Sequence, residues 1–224
     1  MPLRPLLLAA VTAVLVVGAC GDDDGVTAQR EEQIRDAARE AGLEDDVADL
    51  LALAARGTTA RFQVTYEGTG GAALVVSQEP PNHRVDVLTA GLVVESQVVR
   101  KGVAYRCDLP PDGRPGDDLD CRRTDGALEV PGAFTDAALA TFTDEMLASA
   151  GDFDLTVEER TVADVEVRCL VAAPKAGTTL TGSGPNVDTI CLSDEGAQLL
   201  VDAGGQRVVA TAYSTEVPEG TFDV

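Results

Sequence analysis

The feature that most constrains the fold is an alternation of apolar and polar residues over much of the chain. It begins near Arg61, where Phe62, Val64 and Tyr66 point to one side of an extended segment. Similar short runs follow, separated by glycine, proline and acidic turns such as Lys101-Gly102, so about ten strands of a mostly antiparallel sheet are expected. The predicted strands are 61–67, 73–78, 84–88, 93–99, 103–107, 155–160, 165–171, 187–192, 197–201 and 208–217.

Two segments carry a helical pattern instead. Residues 26–56 are rich in Ala, Glu, Arg and Leu, and Gly42 is expected to interrupt them. Their polar residues are chiefly acidic, so packing against a sheet is favoured over a membrane-surface role. The second segment, 136–150, precedes a capping Gly151. The predicted fold class is therefore α+β, with N-terminal and central helices packed against the sheet.

The N-terminus has a different character. Positive Met1–Arg4 precedes an apolar run, Leu6–Val17, whose twelve residues are too few to span a bilayer but suit a signal-peptide core. The run ends in Val17-Gly18-Ala19-Cys20, which resembles the lipobox of bacterial lipoproteins. The resemblance implies cleavage between Ala19 and Cys20 and a diacylglycerol thioether on Cys20. An ordinary signal peptide with a chance cysteine is the alternative.

This interpretation divides the chain into three parts. Residues 1–19 form the signal peptide, 20–25 the acylated cysteine and a flexible acidic tether, and 26–224 a single α+β domain, with helices in 26–56 and the sheet with its central helix in 57–224. Two acyl chains hold a protein stably, so the expected location is the extracytoplasmic face of the cell membrane. The aspartates of the tether lack the ordered spacing of a calcium loop, and no metal site is predicted.

Four cysteines remain once Cys20 is assigned to lipid, an even number that suits an exported, oxidised domain. Four thiols allow three pairings. We predict Cys107 with Cys121 and Cys169 with Cys191, because each pair brackets one polar turn segment between strand-like runs. A zinc site is the alternative, but the chain lacks the closely spaced Cys or His pairs that such sites use.

Charge and residue chemistry argue against several functions. The net charge of −21 would repel a nucleic acid, which is therefore not an expected partner. The one histidine, His83, lies in a Pro-Pro-Asn-His-Arg turn, a setting more typical of a structural residue than of a catalytic base. Gly177–Gly182 lacks the Gly-Lys-Ser/Thr ending of a phosphate loop. No catalytic residue and no cofactor are predicted.

The mature chain as a whole resembles a family of uncharacterised actinobacterial lipoproteins whose layout is similar to that of the LolA-like and mycobacterial LppX/LprG lipid carriers. The stretches that carry the resemblance are Phe62–Tyr66, Pro80–Arg84, Tyr105–Cys107, Cys191–Gly196 and Ala210–Thr215. In those carriers a strongly curved antiparallel sheet wraps helices and leaves an apolar cavity for acyl chains. The resemblance implies a curved sheet and an apolar lining. The candidate lining residues are Phe62, Val64, Tyr66, Val85, Val87, Val165 and Val167.

The leading hypothesis is therefore a lipid-anchored, non-catalytic module that binds or carries a lipid or another apolar ligand in the cell envelope. An envelope interaction or structural lipoprotein with a filled core is the alternative, and a hydrolase that uses an Asp/Glu pair is the least favoured. The expected partners are the membrane, through Cys20, an apolar ligand and envelope proteins. A continuous apolar cavity would favour the carrier, and a filled interior would favour the interaction protein.

Overall fold

The computed structural model describes residues 23–68, 71–125, 134–176 and 187–224. The predicted cleavage site at Ala19 and Cys20 and the Gly177–Gly182 segment lie outside these ranges. The helices are α1 (Asp23–Glu40), α2 (Asp45–Arg56) and α3 (Asp136–Ser149). The strands are β1 (Phe62–Glu67), β2 (Ala72–Glu79), β3 (Asn82–Thr89), β4 (Leu92–Arg100), β5 (Val103–Asp108), β6 (Asp120–Thr124), β7 (Phe153–Val162), β8 (Val165–Pro174), β9 (Thr189–Leu192), β10 (Gln198–Ala203) and β11 (Gln206–Ser214).

The helices follow the sequence pattern closely. α1 and α2 form a hairpin whose turn contains Gly42 at a φ of 79°, a conformation that glycine adopts without steric cost. α1 begins at Asp23, so residues 23–25 of the predicted tether belong to the first helix. α3 begins after Thr135, whose hydroxyl accepts a hydrogen bond from the amide of Ala138.

All strands join one antiparallel sheet in the order β6-β5-β4-β3-β2-β1-β11-β10-β9-β8-β7. Neighbours in the chain are neighbours in the sheet along both arms, and the β1–β11 pairing joins the two arms near its middle. The fold class is therefore α+β with a large antiparallel sheet, as predicted. Within the described ranges, no helix is long and apolar enough to cross a membrane.

The described residues form eleven strands rather than the ten predicted, because β6 was not predicted. Its sequence, Asp-Cys-Arg-Arg-Thr, contains no apolar alternation, and residues 120–123 are exposed. The strand lies at the edge of the sheet, pairs with β5 and is linked to it by a disulfide. It is therefore held by backbone pairing and a covalent bond, and burial of apolar side chains is not required.

Two hydrophobic clusters lie on opposite faces of the β7–β10 arm. The helix cluster joins buried residues of α1, α2 and α3 to Phe153, Leu155, Leu170, Ile190 and Leu192. The inner cluster consists of Phe62, Val64, Tyr66, Val76, Val85, Val162, Val167, Cys169, Cys191, Ala197, Leu199, Leu200 and Ala210. Adjacent Cys169 and Leu170 belong to different clusters because strand side chains alternate between faces. Each fully buried aliphatic side chain contributes about 1.5–3 kcal/mol.

The inner cluster also shows that the sheet bends. It combines residues of β1, β2 and β3 with residues of β7 and β8, which lie on the other arm. β7 and β11 are in contact although three strands separate them in the sheet order. The two arms therefore fold toward each other, and the inner cluster fills the space between them.

Candidate functional site

The structure brings six of the seven candidate lining residues together in or against the inner cluster. The exposed fractions are 0% for Phe62 and Val64, 3% for Tyr66, 6% for Val85 and 3% for Val167. These side chains pack with one another and with Leu199, Leu200 and the Cys169–Cys191 disulfide. The candidate residues thus occupy a closely packed interior.

Two of the seven candidates, Val165 and Val87, are less buried than the other five. Val165 is half-buried and packs against the inner cluster. Val87 is half-buried on β3, opposite Leu74 of β2 and Glu95 of β4, and is not part of the cluster. The buried apolar face of the sheet therefore ends at Val87, whose partner on β4 is the carboxylate residue Glu95.

Tyr66 contributes the polar end of this cluster. Its hydroxyl donates a hydrogen bond to the carbonyl of Gln198, and burial raises the pKa of Tyr66 above its usual value. The phenol therefore stays protonated and its hydrogen-bonding capacity is used within the fold.

The two disulfides occupy contrasting positions. Cys107 of β5 and Cys121 of β6 are direct register partners, and Cys121 is exposed at the edge of the sheet. Cys169 of β8 and Cys191 of β9 are also direct partners, but both have an exposed fraction of 0%. The structure therefore contains both of the pairings expected from the sequence.

His83 lies on β3 opposite Gln78 of β2. Its Nδ1 is buried without a hydrogen-bond partner in the described part of the chain, and desolvation lowers the pKa of His83. Gln78 donates from Nε2 to the carbonyls of Gly57, at 2.6 Å, and Ala60, at 2.9 Å. Gln78 therefore links β2 to the segment that follows α2.

A hydrogen-bonded group that the sequence did not reveal lies at the β9–β10 turn. The hydroxyl of Tyr213 donates to Oε2 of Glu195 at 2.6 Å, and the hydroxyl of Ser193 lies 3.0 Å from the same oxygen. Burial opposes ionisation of Glu195, but these bonds outweigh it and hold its pKa below the usual value. Ser193 is 0% exposed and accepts hydrogen bonds from the turn amides of Glu195 and Ala197, so it stabilises the turn. Tyr213 is far away in sequence, which is why no local motif indicated the group.

Two surface grooves differ in the charge of their lining. The mixed groove, of about 260 Å³, is lined by Glu159, Arg160, Thr161, Glu166, Val167, Arg168 and Asp194. The basic groove, of about 530 Å³, is lined by Arg100, Lys101, Val103, Tyr105, Cys121 and Val224. Acidic and basic side chains are interspersed in the first groove, whereas no acidic side chain lines the second.

Within the described ranges, no group of three or more His, Cys, Asp or Glu residues is arranged to hold a metal ion. No protein-family model matches the sequence, and no curated protein matches it significantly.

Proposed function

We propose that the chain is an exported, lipid-anchored module of the cell envelope that acts by binding and not by catalysis. The observation that best supports export of the domain is the pair of cross-strand disulfides. Such bonds form and persist in oxidising compartments and are rare where cellular thiols are kept reduced. A domain that relies on two of them suits the outer face of a membrane.

The anchor half of the proposal rests on the sequence Val17-Gly18-Ala19-Cys20 at the end of the apolar run. Cys20 precedes α1, which begins at Asp23, so the acylated residue would lie at the start of the domain. Among the described residues, the first one buried in a core cluster is Ile34.

Recognition of another molecule at the surface is the mode of action that the packing favours. Five of the seven candidate lining residues are buried members of the inner cluster, between the two arms of the sheet. In a protein of this kind, specificity resides in surface grooves and loops. We therefore place an envelope interaction protein with a filled core first among the candidate functions.

Carriage of an apolar ligand is the second candidate, and the bent sheet favours it. An antiparallel sheet that folds its arms over an aliphatic face is the architecture that the family resemblance implies for lipid carriers. Separation of the arms would expose Phe62, Val64 and Leu200 to a ligand. The Val64→Phe substitution, combined with native mass spectrometry, distinguishes this candidate from the first.

The anchor is tested by replacing Cys20 with Ser in the full-length chain. We expect the wild-type protein to partition into the detergent phase and its processing to be blocked by globomycin. The Cys20→Ser variant should leave the membrane fraction while retaining its disulfides, because Cys20 is expected to lie on a tether that precedes the domain and is not one of the four paired cysteines. A variant that still partitioned with the membrane would contradict the lipobox interpretation.

A further inference from the structure

The basic groove brings cationic side chains together on a protein with a strong negative charge. The chain carries a net charge of −21, yet Arg100 and Lys101 line a groove of about 530 Å³. A third cation, Arg123, does not line the groove itself but is the register partner of Tyr105, and residues that pair in this way point to the same face of a sheet. The cations therefore come from β4, the β4–β5 turn and β6.

These cations are poorly neutralised by the protein itself. Arg100 forms an ion pair with Asp223 at 3.4 Å, but both side chains are exposed, and such pairs are weak. Within the described residues, the side chains of Lys101 and Arg123 have no ion-pair partner. By contrast, Arg106 and Arg122, which project from the other face of β5 and β6, are both paired with Asp108. On the face that forms the groove, the charges of Lys101 and Arg123 are thus unpaired among the described side chains.

The frame of the groove is held in place. Lys101 has a φ of 49° in the tight turn between β4 and β5, and its backbone amide donates to Oδ1 of Asn82 at 3.0 Å. Cys121 in the lining is joined to Cys107, which is 2% exposed. A site whose supporting backbone is fixed loses less conformational entropy when a ligand binds.

We propose that the basic groove is a binding site for a phosphate-bearing ligand, either a free phosphorylated molecule or the headgroup of an anionic lipid. Two cations in the lining and a third beside it on the same face suit an oxyanion that carries more than one negative charge. Arg123 supplies a planar fork of donors, Lys101 a point charge and Tyr105 a hydroxyl. Val103 and the ring of Tyr105 offer apolar contact to the remainder of the ligand. This site does not depend on the proposed anchor.

Inorganic phosphate is the probe for the first arm of the test. It is titrated into the full-length chain in nonionic detergent while the backbone amide signals of Gly102 and Tyr105 are followed by NMR. We expect saturable shifts, weakened about tenfold in the Lys101→Gln/Arg123→Gln variant because two charge-assisted contacts are lost. The matched control is Arg168→Gln/Arg207→Gln, which removes two charges elsewhere and should change the affinity by less than about twofold.

Vesicles provide the second arm and identify the source of the phosphate. The full chain with Cys20→Ser, which has no anchor, is sedimented with vesicles of phosphatidylglycerol or of neutral phosphatidylcholine. Binding to the anionic vesicles that depends on Lys101 and Arg123 assigns the site to a lipid headgroup. Phosphate binding without vesicle binding assigns it to a free ligand. Failure of both probes, or equal loss in the control variant, would overturn the proposal, and circular dichroism verifies that each variant is folded.

Discussion

The end of α2 crosses the β9–β10 turn at two glycines, Gly57 and Gly196. A Cβ atom on Gly57 would lie 2.4 Å from the carbonyl oxygen of Gly196, closer than van der Waals contact permits. One on Gly196 would lie 2.5 Å from the amide nitrogen of Gly57, and Gly196 also has a φ of 80°. Only hydrogen atoms fit between these backbones, so both positions require glycine.

We expect Gly57→Ala to destabilise the fold by about 1 to 3 kcal/mol, because the methyl group forces the two backbones apart. This cost outweighs the gain of up to about 1 kcal/mol that alanine brings by restricting the unfolded chain. Gly151→Ala is the matched control, since nothing lies within 4 Å of its added Cβ and its stability should be unchanged or slightly higher. Urea unfolding measures both. Equal stability of the two variants would mean that the crossing is not tightly packed.

The sequence indicates which side chains are buried better than it indicates their polar contacts. Alternation correctly predicted that Phe62, Val64 and Tyr66 share one buried face. It could not predict that Gln78 is fully buried and bonded to Gly57, because that contact depends on where the end of α2 lies relative to β2. Whether a polar residue of this kind is buried depends on tertiary contacts and not on the local sequence pattern.

At the scale of single elements, the two disulfides stabilise strands in different ways. Cys107–Cys121 links the exposed edge strand β6 to β5, while Cys169–Cys191 lies wholly inside the inner cluster. Their predicted pairing followed from neighbouring strand-like runs, since residues on adjacent antiparallel strands are brought into register by the turn. β6 was missed because its charged side chains give no strand signal, although the position of Cys121 just beyond a turn loop implied a partner for β5.

We expect replacement of the inner pair by alanine to cost more than replacement of the edge pair. Without the bond the unfolded chain is no longer closed into a loop, and the free energy of unfolding should fall by about 3 kcal/mol in either case, since the cysteines are separated by 14 and 22 residues. The Cys169→Ala/Cys191→Ala variant also leaves a void in a filled cluster, which adds to the loss. The Cys107→Ala/Cys121→Ala variant should instead free β6 locally, with faster hydrogen exchange confined to β5 and β6.

Urea unfolding and hydrogen exchange provide the comparison between the two double variants. Peptide mapping of the oxidised protein, performed first, should recover Cys107 with Cys121 and Cys169 with Cys191. Crossed peptides, or an edge variant less stable than the inner one, would contradict this description of the two bonds.

At the scale of the whole molecule, the arrangement of the two arms lies beyond local sequence patterns. β1 pairs with β11 through residues about 150 positions apart, as between Val64 and Tyr213, and a register irregularity occurs at Tyr66. Neither the pairing nor the bend produces a periodic signal, because both depend on which apolar faces meet after the strands have formed. The fold class, the helices and most strands were therefore predictable, while the filled space between the arms was not.

A change of Val64 to Phe tests whether that space is filled. Val64 is 0% exposed in the inner cluster, so the larger ring should cost about 1 to 3 kcal/mol through overpacking. Val208→Phe is the control, because Val208 is 42% exposed on β11 and tolerates the added volume. The exported Cys20→Ser chain, isolated without detergent, should also give a bare mass in native mass spectrometry. A stable Val64→Phe variant that has lost lipid-mass adducts seen with its parent chain would establish the carrier instead.

The central claim, that this is an exported module anchored by lipid on Cys20, is tested most directly by the mass of its N-terminal peptide. The protein is extracted from the membranes of its own host, digested, and analysed by tandem mass spectrometry. We expect a peptide that begins at Cys20, lacks residues 1–19 and carries the mass of a diacylglycerol on the cysteine sulfur. A peptide with an unmodified Cys20 thiol, or one that still contains Ala19 attached to Cys20, would contradict it.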